Sequence, residues 1–186
     1  VLTLSLWAAA AASDYSSGWI RVMVQAEPRR WRLLAGKFLA LAGFTAVGML
    51  LATAIAVGTA PVLAGASGVS TAAWAEGAVG AISSGWLNLT AAVLVWGIIG
   101  FAVATTTRSV VVAIAGGVGY MMVFEGVLGL AAEGTTTYLP GSILSAVVAG
   151  GIPDVSYPIA LGLAGGYAVA AAVIAIVVFG RRDITS

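Results

Sequence analysis

From Phe38 to Ala60 the chain carries no charged residue, and the same holds from Trp86 to Thr107 and from Ile159 to Gly180. A fourth run, Ser109–Ala132, holds a single acid, Glu125. An α-helix rises ~1.5 Å per residue, so ~20 apolar residues cross the ~30 Å hydrocarbon core of a bilayer. Each of the four runs reaches that length. Charged residues make up 8% of the chain and hydrophobic ones 61%, whereas a soluble domain carries roughly 25% charge. The fold class expected is all-α: a polytopic membrane helix bundle with four full spans at 38–60, 86–107, 109–132 and 159–180.

The opening run, Val1–Ala12, is apolar but has only twelve residues, about 18 Å of helix. A signal peptide needs a basic region ahead of its apolar stretch, and none is present here. The expectation is the inner half of a spanning helix whose beginning is missing, so that the chain is a fragment. The intervening segments 61–85 and 133–158 are expected as loops. Residues 62–85 are too weakly apolar to span well. Residues 138–152, YLPGSILSAVVAGGI, are apolar but broken by Pro140, Gly141 and the Gly150–Gly151 pair, a pattern of interfacial or re-entrant segments.

Topology follows from charge. If the half-span and the four long runs cross, Arg21, Arg29, Arg30, Arg32, Lys37, Arg108, Arg181 and Arg182 fall on one side. The other side holds Glu76, Glu133 and Asp154, with Glu125 near its boundary, and no Lys or Arg. That is the positive-inside pattern. It predicts a multi-pass protein of the cell membrane with its basic loops and C-terminus in the cytoplasm. A full span at 138–152 would move Arg181 and Arg182 to the wrong side.

Every charged residue before Glu76 lies between Asp14 and Lys37. In this segment polar residues recur at Asp14, Gly18, Arg21, Gln25, Arg29 and Arg32, with Trp19, Ile20, Met23, Val24 and Trp31 between them. The spacing predicts a cytoplasmic amphipathic helix over 14–34, its basic face towards water. Pro28 breaks that helix or starts another, because it lacks a backbone donor. Lys37 falls at the headgroup level, and Trp31, Arg108, Arg181 and Arg182 are further membrane-interface candidates.

The segment resembles the ABC type-2 permease family, the membrane subunits of ATP-binding-cassette exporters. Carrying the resemblance are Asp14, Gly18, Pro28-Arg29-Arg30, Leu33-Leu34 and Gly36-Lys37, then Leu139-Pro140 ahead of the last span and the closing Phe179-Gly180-Arg181-Arg182-Asp183-Ile184. Asp14 stands where the family often has Glu. The resemblance implies six spans in the complete protein, with the first and part of the second missing here. It further implies a coupling helix seated on a separate ATP-binding subunit, through Asp14, Gly18, Trp19, Arg21, Gln25, Pro28, Arg29, Arg30 and Arg32, and a second permease copy or paralogue completing the pathway. The residues alone allow a plainer role, an interfacial anchor on anionic lipid.

Chemistry is restricted by what is missing. The sequence has no His and no Cys, which removes imidazole catalysis, thiolate metal sites and cysteine nucleophiles. Gly36-Lys37 is followed by Phe38, and Trp31 occupies the place where a phosphate-binding loop needs its first glycine. No enzyme activity, metal or cofactor is expected, and ATP hydrolysis is assigned to a partner. A net charge of +1 with few basic residues, all in loops, argues against nucleic acid.

Glu125 is a weak pathway candidate. It lies 17 residues past Arg108, about 25 Å along a helix, where the cost of an intramembrane charge fades towards the headgroups. Gly116, Gly117, Gly119, Gly162 and Gly166 are read as helix-packing positions. Asn88, Thr90 and Thr105–Thr107 either line a pathway or satisfy backbone carbonyls. Competing functions are an ion-gradient-driven secondary transporter or channel, which prefers intramembrane acids or unwound helices, a membrane-embedded enzyme, and a non-transporting anchor subunit.

Overall fold

The computed structural model describes residues 2–16, 22, 23, 25, 30–72, 77–131 and 136–181. The described residues are all-helical, without strands. The helices are α1 (Leu2–Ser16), α2 (Arg30–Ala66), α3 (Ala78–Thr107), α4 (Val110–Gly119), α5 (Glu125–Ala131), α6 (Pro140–Ala149) and α7 (Tyr157–Arg181). A π-helical turn, Tyr120–Phe124, links α4 to α5. Three helices, α2, α3 and α7, are long and apolar enough to cross a membrane, which marks the chain as a membrane protein. The run through α4, the π turn and α5 spans Val110 to Ala131, about 33 Å of helix.

Helix ends follow local chemistry. The run expected to close at Pro61 continues to Ala66, with Pro61 inside the helix. One proline removes one backbone donor, and the Ala, Val and Leu that follow still favour the helix. The stop is Gly68, at φ +68°: its N–H bonds the Gly65 carbonyl at 3.3 Å and the Val69 N–H bonds that of Ala64 at 2.9 Å. This is the paired closure that a left-handed glycine permits. On the far side of the connection, α3 starts at Ala78, eight residues before Trp86. Arg108 (φ 56°) and Ser109 make the turn from α3 to α4, Ser109 Oγ accepting from the Val112 N–H at 3.3 Å.

Packing converges on α3, which touches α1, α2, α4, α6 and α7. Between apolar helices in lipid there is little hydrophobic gain, so close approach through small residues decides which faces meet. Gly97, Gly100 and Gly117 form the slot for α1. A methyl group on Gly97 would stand 2.7 Å from the Trp7 ring, one on Gly100 2.7 Å from the Leu4 carbonyl oxygen, and one on Gly117 2.6 Å from Leu4 Cδ2. Trp7 and Leu4 are accordingly 1% exposed. Of the glycines expected to pack helices, only Gly117 does so among the described residues. Gly116, Gly119, Gly162 and Gly166 have nothing within 4 Å of an added Cβ, because they lie on helix faces turned away from the bundle.

The Trp7 indole N–H donates to Thr45 Oγ1 at 3.0 Å in the interior, tying α1 to α2. Phe38 sits between the Trp7 and Phe101 rings, 5.9 and 4.5 Å away. Further along, α2 leaves the bundle, and Phe44, Leu50, Leu51 and Ile55 are exposed, as apolar side chains facing lipid tails would be.

Helix α6 has ten residues, about 15 Å, too short to cross. It buries Ile143, Leu144, Ala146 and Val147 against α3 and α7. Near its start, the Tyr138 carbonyl accepts from the Tyr167 hydroxyl, ten residues into α7. Its end turns back at Gly150 (φ +76°) and Gly151 (φ +116°), and reciprocal 3.0 Å bonds between Ile152 and Val155 lead into α7. So α6 lies antiparallel to the first part of α7, its N-terminus pointing into the body of the bundle.

Candidate functional site

Two places gather polar groups. At one end, a cavity of about 400 Å³ is lined by Ala11, Arg32, Lys37, Phe101, Thr105 and Phe179 among others. It brings together the last turns of α1, α3 and α7 with the first turns of α2. The basic side chains Arg32 and Lys37 therefore share one end with Arg108 and Arg181, which close α3 and α7.

Lys37 Nζ donates to the Ala10 carbonyl. Ala10 lies six residues before the end of α1, and its carbonyl also accepts from the Ser13 hydroxyl at 3.2 Å, so Lys37 ties α2 to the body of α1 at a shared acceptor. The hydroxyls of Thr105, Thr106 and Thr107 donate to the carbonyls of Phe101, Ala102 and Val103 at 2.8, 2.7 and 2.9 Å. They bond backbone carbonyls, and Thr105 also lines the cavity.

The sequence-predicted partner residues are only partly in view. Gly18, Trp19, Arg21, Pro28, Arg29 and Arg182 lie outside the described residues, as do the side chains of Asp14 and Arg30. Gln25 and Trp31 are exposed, and the exposed Arg32 guanidinium stands 5.7 Å from the Trp31 ring centroid. The amphipathic helix expected over 14–34 thus falls largely outside the described region. At its borders, Asp14 belongs to the last turn of α1 and Arg30 opens α2.

The second place is a cleft of about 440 Å³ beside the start of α6, lined by Trp96, Met121, Glu125, Gly141, Ser142, Ser145 and Ile152. Glu125 Oε1 accepts from the Gly141 N–H at 2.9 Å, and Tyr120 lies five residues before it across the π turn. On an α-helix, residues five apart point about 140° away from each other at 3.6 residues per turn. The wider π turn, closed by the Glu125 N–H on the Tyr120 carbonyl, brings the two onto one side. Such turns recur at functional sites.

Gly141 is the other requirement. An added Cβ there would lie 1.9 Å from Glu125 Oε2, so only glycine lets the carboxylate reach the helix start. A charged group at the centre of a bilayer costs roughly 2.5–3.5 kcal/mol on insertion scales. A carboxylate at a helix N-terminus recovers about 0.3–2 kcal/mol of that from the dipole and the free amides. The sequence marked Glu125 but carried no sign of Gly141 as its partner.

Trp96 and Tyr120 rings meet edge to face at 6.4 Å, and Tyr120 stacks on Phe124 at 5.4 Å. Asn88 Oδ1 accepts from the Tyr157 hydroxyl at 2.5 Å, pinning the start of α7 to α3. Thr90 is buried, its hydroxyl without a partner among the described residues. No group of carboxylates among the described residues could hold a metal ion. No family model matches the chain, and neither a curated protein nor a solved structure matches it.

Proposed function

We propose that the chain is the permease subunit of an ATP-binding-cassette exporter. In this reading it forms the transmembrane pathway with a second permease copy or paralogue, in the cell membrane. A separate ATPase binds the segment between α1 and α2 on the cytoplasmic side. The observation that carries the reading is the convergence of α1, α2, α3 and α7 around the basic end, with Lys37 of α2 holding the Ala10 carbonyl of α1. A push on the connecting segment would act on both helices at once, and through the tight α1–α3 contact on the centre of the bundle. The sequence resemblance supplies the nature of the partner.

The test is co-purification in detergent of the chain with the ATPase encoded beside it, repeated with Arg21, Arg29 and Arg30 changed to Glu. The expected result is a complex that the charge reversal dissolves while the permease still elutes as a folded species. Binding that survives the reversal, or no complex at all, would sink the proposal.

One observation favours a second reading. Half-buried Glu125 faces the N-terminus of the short helix α6, and gradient-driven transporters use intramembrane acids beside broken helices. That reading predicts substrate flux in vesicles without any ATPase, abolished by Glu125→Gln.

A further inference from the structure

We propose that the cleft between α3, the π turn and α6 is a binding site for lipophilic organic cations, such as quaternary ammonium or phosphonium compounds. Its volume of about 440 Å³ falls within the range of small-molecule sites. Among the described residues, the one ionisable side chain that lines it is Glu125, and no Lys or Arg does. The start of α6 offsets only part of that charge, since a helix N-terminus carries about half an elementary charge. The cleft therefore keeps a net negative potential in a medium that screens it poorly.

Beside the carboxylate stands the Trp96 indole, and an aromatic ring attracts a cation through its quadrupole, tryptophan most strongly. Met121 and Ile152 add apolar wall, and the Ser142 and Ser145 hydroxyls add weak acceptors. A carboxylate, an indole and an apolar wall suit a charged centre carrying greasy substituents. They suit an anion or a sugar poorly, because the one charge would repel the former and few donors serve the latter.

As a substrate site the cleft rests on the transport reading. As a binding site it does not, and binding is measured on the purified full chain without any ATPase. The probe is tritiated tetraphenylphosphonium in equilibrium dialysis, with neutral triphenylphosphine oxide as the uncharged comparison. Wild type should bind the cation saturably, and Glu125→Gln should weaken it by about tenfold or more. Gln keeps an oxygen for the Gly141 N–H, so the fold is retained. Trp96→Leu should weaken the cation by about three- to tenfold and leave the neutral compound unchanged. Asp154→Asn, on the exposed turn before α7, should bind as wild type does. Unsaturable binding in wild type, equal affinity in Glu125→Gln, or a neutral compound that binds as well as the cation would each overturn the proposal. A cation that binds while no ATPase co-purifies leaves the site standing and removes the exporter.

Discussion

The docking of α1 against α3 makes the sharpest claim about stability, because opposing effects act at a single glycine. Changing Gly100 to Ala improves helix propensity by about 0.8–1.0 kcal/mol. It also places a methyl carbon 2.7 Å from the Leu4 carbonyl oxygen and 2.8 Å from Leu4 Cγ. Ordinary carbon contacts lie at about 3.5–4.0 Å, so α1 must retreat by several tenths of an ångström. A side chain could swing aside, but a backbone carbonyl in a helix cannot. Overpacking of this kind costs about 1–3 kcal/mol, and the retreat also strains Trp7 and its bond to Thr45. The clash wins, leaving a net loss of up to about 2 kcal/mol after the propensity gain. Gly162→Ala is the matched control. It sits inside α7 with nothing within 4 Å of the new methyl, so only the propensity gain remains. Thermal unfolding in detergent, followed by Trp fluorescence, should move by about 2–4 °C per kcal/mol for a chain of this size. Gly100→Ala should fall below wild type and Gly162→Ala at or above it. A Gly100→Ala protein as stable as Gly162→Ala would show that α1 does not occupy the slot.

Other predictions concern polar contacts and sidedness. Thr45→Val should cost about 1–3 kcal/mol, because the buried Trp7 N–H loses its acceptor, while Thr45→Ser restores it; the same melting assay decides. Gly141→Ala must expel the Glu125 carboxylate from the start of α6, losing a charge-assisted bond of about 1.5–3 kcal/mol, and should destabilise more than Glu125→Gln does. The sequence contains no cysteine, so single Cys variants report topology cleanly. An impermeant maleimide added to intact cells should label Asp154→Cys and spare Gln25→Cys, and the reverse pattern would invert the positive-inside assignment.

Much of the helical layout was legible because long uncharged runs leave a membrane chain few alternatives. Boundaries were less so. Pro61 looked like a stop, yet one missing amide is a smaller obstacle than the gain from continuing, and the chain ends α2 where Gly68 supplies a left-handed closure. The α1 slot was hidden because Val1–Ala12 is apolar on every side, so no pattern distinguishes the face carrying Leu4 and Trp7. Glycine spacing misled for a related reason. Gly162 and Gly166 have the right interval, but whether a glycine meets a neighbour depends on which face the fold turns inward. Glu125 stood out as the lone acid of its run. Its partner did not, since Gly141 is 16 residues away, and the π turn ahead of Glu125 has no simple sequence signal.

If an ATPase acts on the segment joining α1 to α2, as proposed, it moves that segment against α3. Spin labels on Gln25→Cys and Thr107→Cys, both exposed positions, would measure that distance in the assembled complex by pulsed electron resonance. Coupling predicts one distance distribution without nucleotide and a clearly displaced one when the ATPase is trapped with ADP and vanadate. Identical distributions in both states, with the ATPase bound, would contradict it and leave the chain an anchor.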